Sequence, residues 1–295
     1  MMRCDLHVHS LHSGQCTTPF LGPLCRESYS PPPEVYARLK RQGMGLVTLT
    51  DHDSIAGAEE LRRYPDFFPS EEVTCTMPSG TTIHVNVFDV AERQHVELQR
   101  RRQDLPALLA YFGEQQLLFS LNHVFSSLTG RRRAEDFDWL EVCFPAIETR
   151  NGHLLPTNNG YAKRLARRAG RIQLGGSDAH TLSSVGSAYT EVPGARNKEE
   201  FLLGLRCGKG RVRGESGGYW KLTRDVLLVT RELMRERPWA LLLAPLAAGI
   251  PLVTLVNYFQ EVAFARRWGS WVNRGRVAGR SRLWSARSAP GEAAV

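Results

Sequence analysis

The sequence has no C-x-x-C pair, no apolar N-terminal leader, no internal repeat and no complete phosphate-binding loop. Its six cysteines (Cys4, Cys16, Cys25, Cys75, Cys143, Cys207) are scattered, which in a chain of 295 residues reads as reduced, buried thiols in a cytoplasmic protein rather than a disulfide framework. Arg3, Asp5 and nearby histidines interrupt the N-terminus at once, so a signal peptide is not expected there. Gly208-Lys209-Gly210 lacks the spacing of a phosphate loop. A basic face across the whole chain is also missing. The net charge is +8, but residues 261–295 hold seven arginines against Glu261 and Glu292. The remainder is only mildly basic, which argues against a domain-wide nucleic-acid footprint. A basic tail beside an apolar run points instead to an anionic surface such as lipid head groups.

What the chain does have is enough apolar residue, 42%, and ordinary charge, 23%, for a substantial core. Short apolar runs alternate with helical stretches up to about residue 215. Leu6 and Val8 read as a first strand and Leu46–Thr50 as a second, with a helix from Pro31 to Gly43 between them. Further strands fit 81–88, 117–121, 146–149 and 172–174, and further helices 94–115, 158–170 and 197–207. Asn197 and Glu200 stand at capping-box spacing. Repeated strand-then-helix units imply an α/β fold with a parallel sheet that closes into a barrel. After Gly217-Gly218 the character changes, so the expected division is 1–217 and a helical extension, 218–295. Tyr219–Arg237 reads as an amphipathic helix. Trp239 to Phe259 is 21 residues without a charge, bracketed by Trp239 and Tyr258 and followed by Arg266-Arg267. Pro245, Gly249 and Pro251 break that run, so it is either a membrane segment or a hydrophobic helical pair packed on the barrel. Deleting 219–295 is then expected to leave a soluble, metal-binding barrel.

Eight residues read as one metal cage: His7, His9, His52, Glu72, His84, His123, Asp178 and His180. Six of the nine histidines belong to it. In H-x-H on a strand the two imidazoles share a face and can bind one ion, and Asp178-x-His180 repeats that geometry after two glycines. Imidazole with carboxylate suits zinc, manganese or iron better than magnesium or calcium. Eight candidate ligands exceed the needs of one tetrahedral ion, which implies a multinuclear, catalytic centre. Most of these residues fall at or just past the end of an expected strand, where barrel enzymes build their sites; His84 lies inside one.

The pattern resembles the PHP (polymerase and histidinol phosphatase) superfamily of metal-dependent phosphoesterases over about residues 3–210. It is most similar to PHP proteins of glycosyltransferase-linked contexts, through Asp5–Ser10, Glu27–Pro32, Thr50–Asp53 and Arg150–Gly152. The resemblance implies a distorted seven-stranded, TIM-like β/α barrel holding two or three metals. It assigns His7, His9, Glu72 and Asp178 to a first ion, with Glu72 bridging to a second held by His84 and His123. His52 and His180 would face a third. Glu72 is preferred to Glu71 because Glu72-Val73-Thr74 matches the family's Glu-x-Thr arrangement. The family's usual further ligand for the third ion, five or six residues after the second histidine, is replaced by Gly14 and Gln15. His12 is either a substitute or a solvated loop residue.

The expected chemistry is hydrolysis of phosphate esters by a metal-bridged hydroxide, since paired cations lower the pKa of a shared water and neutralise phosphoryl oxygens. Asp51 is either an orienting partner for an imidazole or a turn cap. Arg150 is either a phosphate clamp or a surface arginine. Arg131-Arg132-Arg133 is either a polyanion contact or a solvated loop, and His95 and His153 lie off the motifs. Three readings follow: a phosphomonoesterase on a small metabolite or nucleotide, a 5′→3′ exonuclease on short oligonucleotides, or a non-catalytic module scaffolding a membrane complex. The expected location is the cytoplasm, in contact with the inner face of the membrane if 239–259 and the basic tail bind lipid.

Overall fold

The computed structural model describes residues 1–14 and 25–273. Its strands form two sheets rather than one. The smaller is antiparallel and joins β1 (Met2–Cys4) to β7 (Ala188–Val192) and β7 to β8 (Arg211–Gly214). The larger runs β2 (Ser70–Thr76), β3 (Thr82–Phe88), β4 (Leu118–Leu121), β5 (Ala146–Asn151), β6 (Ile172–Gly176). Its first two pairings are antiparallel and its last two parallel.

The chain is therefore α/β, as the alternation implied, but the expected seven-stranded barrel is not closed among the described residues. The reason lies in the two segments read as the first strands. Around Val8 and Val47 the chain makes only single bridges, Val8 with Ala179 and Val47 with Phe67. Val47 and Thr50 donate to the backbone carbonyls of Asp66 and Val8, each at 2.9 Å, while two donors of the first segment go to side chains. Val8 N–H donates to Thr50 Oγ1 at 2.9 Å, and Ser10 N–H donates to the Asp51 carboxylate at 2.5 Å. On the first segment a buried hydroxyl and a carboxylate thus take donors that a regular ladder would have used.

Helices α1 (Pro32–Arg41) and α2 (Ala56–Leu61) pack on the first of these segments. The single helix expected over 94–115 is two, α3 (Glu92–Arg101) and α4 (Leu105–Glu114). Asp104 ends the run by accepting from Ala107 N–H at 3.1 Å, with Pro106 in the first turn that follows. A short α5 (Asp136–Val142) precedes β5, and α6 (Pro156–Ala169) ends at Gly170, whose φ of 64° is left-handed. Asn197 caps α7 (Lys198–Arg206) by accepting from Glu200 N–H at 2.8 Å, but the reciprocal bond to Glu200 comes from Arg196 N–H.

The main core lies between the larger sheet and α3–α6, and includes Phe112, Phe119, Phe125, Phe137 and Phe144. The C-terminal helices reach into it. After α8 (Tyr219–Glu236) come a 3-10 helix (Pro238–Gly249) and α9 (Ile250–Asn273). Ala265, Trp268 and Val272 of α9 are buried in that core, with Trp268 against Phe137. Residues 241–259 behave differently: Leu242 is 84% exposed, Leu246 71%, Leu252 67% and Phe259 60%. The apolar run is thus not packed on the sheets as a hydrophobic pair would be. Among the described residues, Pro238–Asn273 is long and apolar enough to cross a membrane, and only 11% of its most apolar window is buried. Gln15, Cys16 and the basic tail from Arg274 onward lie outside the described residues. Cys4 and Cys75 are buried thiols, but Cys207 is exposed.

Candidate metal centre

All eight residues of the expected cage converge, and the Glu72 carboxylate is their centre. Strand β2 carries it inward while the preceding Glu71 points to the opposite face, towards His95 Nδ1 and Gln99. Glu72 Oε2 lies 2.9 Å from His7 Nε2, 3.3 Å from His9 Nε2 and 3.3 Å from His52 Nε2. Its Oε1 lies 3.1 Å from His123 Nε2 and 3.5 Å from His84 Nδ1. Asp178 Oδ1 approaches His7 Nε2 at 3.4 Å and His9 Nε2 at 3.2 Å. His180 stacks on His9, with ring centroids 4.6 Å apart.

Neither candidate on the antiparallel β2–β3 pair obeys the strand-end placement. Glu72 sits mid-strand in β2, and His84 near the start of β3. Only His123 and Asp178 follow strand ends, of β4 and β6. Both have left-handed backbones, at φ 28° and 50°. Such conformations are uncommon away from glycine and concentrate at functional sites. Gly176 makes the approach of β6 feasible, since a Cβ there would overlap the backbone of His7.

The donor set suits cations. Burial alone would raise the pKa of Glu72 and of Asp178, but facing imidazoles, His7 foremost, hold both well below the usual carboxylate range. Burial would likewise strip protons from His7 and His9, yet the same carboxylates outweigh it and push His9 up to about 10. The carboxylates thus demand positive charge in a dry pocket, which protons on imidazole or divalent ions supply. His84 Nδ1 and His123 Nδ1 are buried without a hydrogen-bond partner among the described residues. Four triads bring one ligand atom from each residue within 4.8 Å: His7–Glu72–His123, His7–His9–Asp178, His9–His52–Glu72 and His9–Glu27–His180. The residues present fit divalent metal binding.

Comparison with known proteins agrees. Residues 156–209 match the PHP-associated family. The fold is similar to a two-domain protein containing a predicted PHP-like metal-dependent phosphoesterase from Bacteroides vulgatus, with a TM-score of 0.56 and 17% identity over 72% of this chain. The fold is PHP-like. The chain spans 65% of the Bacteroides protein's length. It is also similar to PsfC from Pseudomonas syringae, with a TM-score of 0.54 and 20% identity, over 80% of this chain and 99% of that one. At these identities the structural likeness establishes the fold alone. No curated protein matches.

Within this PHP fold, four residues stand at the centre that the sequence reading did not place there. The Glu27 carboxylate lies 3.2 Å from His180 Nε2 and 3.5 Å from His52 Nε2. Burial opposes its ionisation, but His52 and His180 outweigh that and hold it far below the carboxylate range. Glu148 on β5 accepts from His7 Nδ1 at 2.8 Å, which aims Nε2 at the centre. Asn122 donates to Glu72 at 2.8 Å and Asn151 to Asp178 at 2.8 Å. A glutamate directly after the apolar pair Ala146-Ile147 of a strand was the available signal for Glu148. For Glu27 it was only a glutamate beside the matched Ser28–Pro32 run.

Several candidates go elsewhere. Asp51 touches no imidazole; its carboxylate accepts from Ser10 N–H and from Ser10 Oγ at 2.7 Å, fixing the turn after His9. Arg150 donates to the Gly214 carbonyl at 2.8 Å across a register shift in β5, on the smaller sheet's side. That bond accounts for its direction without a phosphate. His12 pairs with Glu60 at 2.6 Å. Arg132 is buried rather than solvated, bonded to the Thr82 carbonyl and Thr129 Oγ1. Replacing Glu148 with alanine is expected to weaken metal binding about 10–100-fold, as loss of a ligand-orienting carboxylate does. Competition against a chelating dye measures it, and unchanged affinity would remove Glu148 from this role.

Proposed function

We propose that the protein is a metal-dependent hydrolase of phosphate esters, a phosphomonoesterase on a small metabolite or nucleotide. The observation that carries this reading is one buried carboxylate, Glu72, within 3.5 Å of five imidazoles. His7, His9 and Asp178 with Glu72 would hold one ion, and His84 and His123 with Glu72 a second. His52, His180 and Glu27 would hold a third. Zinc, manganese or iron suits these donors.

Bound divalent ions supply hydroxide near neutral pH and neutralise charge on a phosphoryl group. The chain's own work is orientation. Glu148 fixes His7, Ser13 Oγ lies 3.0 Å from His9 Nδ1, and the Asp178 carbonyl lies 3.0 Å from His180 Nδ1. Asn122 and Asn151 hold the two carboxylates. No side chain has to form a covalent intermediate. The kinship with glycosyltransferase-linked PHP proteins, cytoplasmic location and membrane contact through residues 239–259 belong to the same proposal.

Manganese-loaded protein offered p-nitrophenyl phosphate, nucleoside phosphates and 5′-phosphorylated oligonucleotides tests it. Turnover of the small esters, lost in His9→Ala, is expected. Turnover of oligonucleotides alone would establish the exonuclease instead. No turnover of any of them, with His9→Ala changing nothing, would favour the non-catalytic module.

A further inference from the structure

The exposed apolar run and the metal centre share one helical unit. Three segments that carry candidate ligands are fastened to it. The loop after His180 gives its hydroxyls to Asp225 of α8, Thr181 Oγ1 at 3.0 Å and Ser184 Oγ at 2.5 Å. The loop after His123 gives Ser127 N–H to Glu261 of α9 at 2.7 Å. The Glu27 segment packs Cys25 and Tyr29 on Leu233 and Ala240, and Arg26 pairs with Glu236 at 3.0 Å. The more exposed ligands, His52, His180 and Glu27, mark the mouth of the centre. Two of those three are among the fastened segments.

The same unit presents a surface that water does not favour. Leu241, Leu242, Leu246, Leu252, Val253 and Phe259 are exposed on consecutive turns with no charge between them. A patch of this kind marks an interaction site. Its edge is basic: Arg231 and Arg235 line a groove together with Leu227, Met234 and Leu241. Arg266 and Arg267 stand exposed beyond its far end. Apolar centre and cationic rim complement an anionic lipid surface.

The run is held against the rest of the molecule, at α8 and in the main core. The uncharged part of α9, residues 250–260, rises only about 16 Å, against about 30 Å of hydrocarbon. The 3-10 helix that precedes it packs on α8. Tyr219 Oη, at the start of α8, donates to the Pro251 carbonyl at 3.0 Å, and Thr223 meets Thr254 at 2.7 Å.

We propose that residues 239–259 lie in the plane of an anionic lipid surface, and that the metal centre beside them takes phosphate monoesters of amphiphiles held in that surface. This rests on the hydrolase reading and narrows its substrate. Water would supply the new P–O bond, the ester P–O bond would break, and the lipid alcohol would leave carrying the proton.

The test uses full-length, manganese-loaded protein and its Leu242→Glu/Leu246→Glu variant. In flotation, the wild type is expected to rise with phosphatidylcholine vesicles containing phosphatidylglycerol, and much less with phosphatidylcholine alone. The variant should bind at least about tenfold more weakly, since each leucine it loses contributes apolar burial. It should also release phosphate from vesicle-borne phosphatidic acid at least about tenfold more slowly, with p-nitrophenyl phosphate turnover unchanged. Equal flotation of variant and wild type, or none of either, would overturn the docking surface. Flotation with p-nitrophenyl phosphate turnover but no release from phosphatidic acid would overturn the substrate. Flotation without turnover of either ester would uphold the surface and defeat the hydrolase reading. Retention of the protein on cell membranes after an alkaline carbonate wash would overturn the in-plane geometry.

Discussion

Glu72→Ala is expected to empty the metal centre and to lower phosphate-ester hydrolysis by about a thousandfold or more. Removing a single group that stabilises transition-state charge already costs about 10²–10³ in rate. Glu72 does more than one such group, because it belongs to two triads, one with His7 and His123 and one with His9 and His52. Without it His7, His9, His52, His84 and His123 surround a neutral void. The control is its neighbour. Glu71 lies on the opposite face of β2, bonded to His95 and Gln99, so Glu71→Ala should leave metal content unchanged. Metal content and turnover measured on both variants decide the point. A Glu72→Ala protein that keeps its metal and its rate would remove the bridging role.

Trp268→Ala is expected to cost about 3–5 kcal/mol, as large aromatic truncations in cores do. That is a large share of the roughly 5–15 kcal/mol that holds a domain folded. Trp268 lies against Phe137, and Ala265 and Val272 enter the same core. Deletion of 219–295 removes all three, together with Asp225 and Glu261 that fasten the ligand loops. The expected product is insoluble or metal-free, contrary to what the composition break after Gly217-Gly218 suggests. Denaturant unfolding of Trp268→Ala and metal analysis of the truncated chain measure this. A loss under about 1 kcal/mol, with a soluble, metal-loaded truncation, would instead make the barrel unit independent.

The pairs His7/His9 and Asp178/His180 stood out by their spacing and Glu72, His84 and His123 by the family resemblance, and the structure brings these candidates together. Elements whose period and caps agree, such as β3, β4 and α7, were legible as well. The failures have physical causes. Leu46–Thr50 has the composition of a strand, yet its donors go to carbonyls of three separate segments, at Arg3, Asp66 and Val8, so it makes an isolated bridge rather than a ladder. Asp104 and Pro106 break an apolar period that runs on through 94–115. Glu27 joins the centre through tertiary packing across residues whose spacing carries no motif. The role of α9 was hidden because its apolar half and its core-facing half form one continuous helix.

Metal quantification on purified full-length protein tests the central claim most directly. Two or three divalent ions per chain are expected, with one fewer in Glu27→Ala. Fewer than one ion per chain in the wild type, after loading with zinc or manganese, would contradict a multinuclear metal centre.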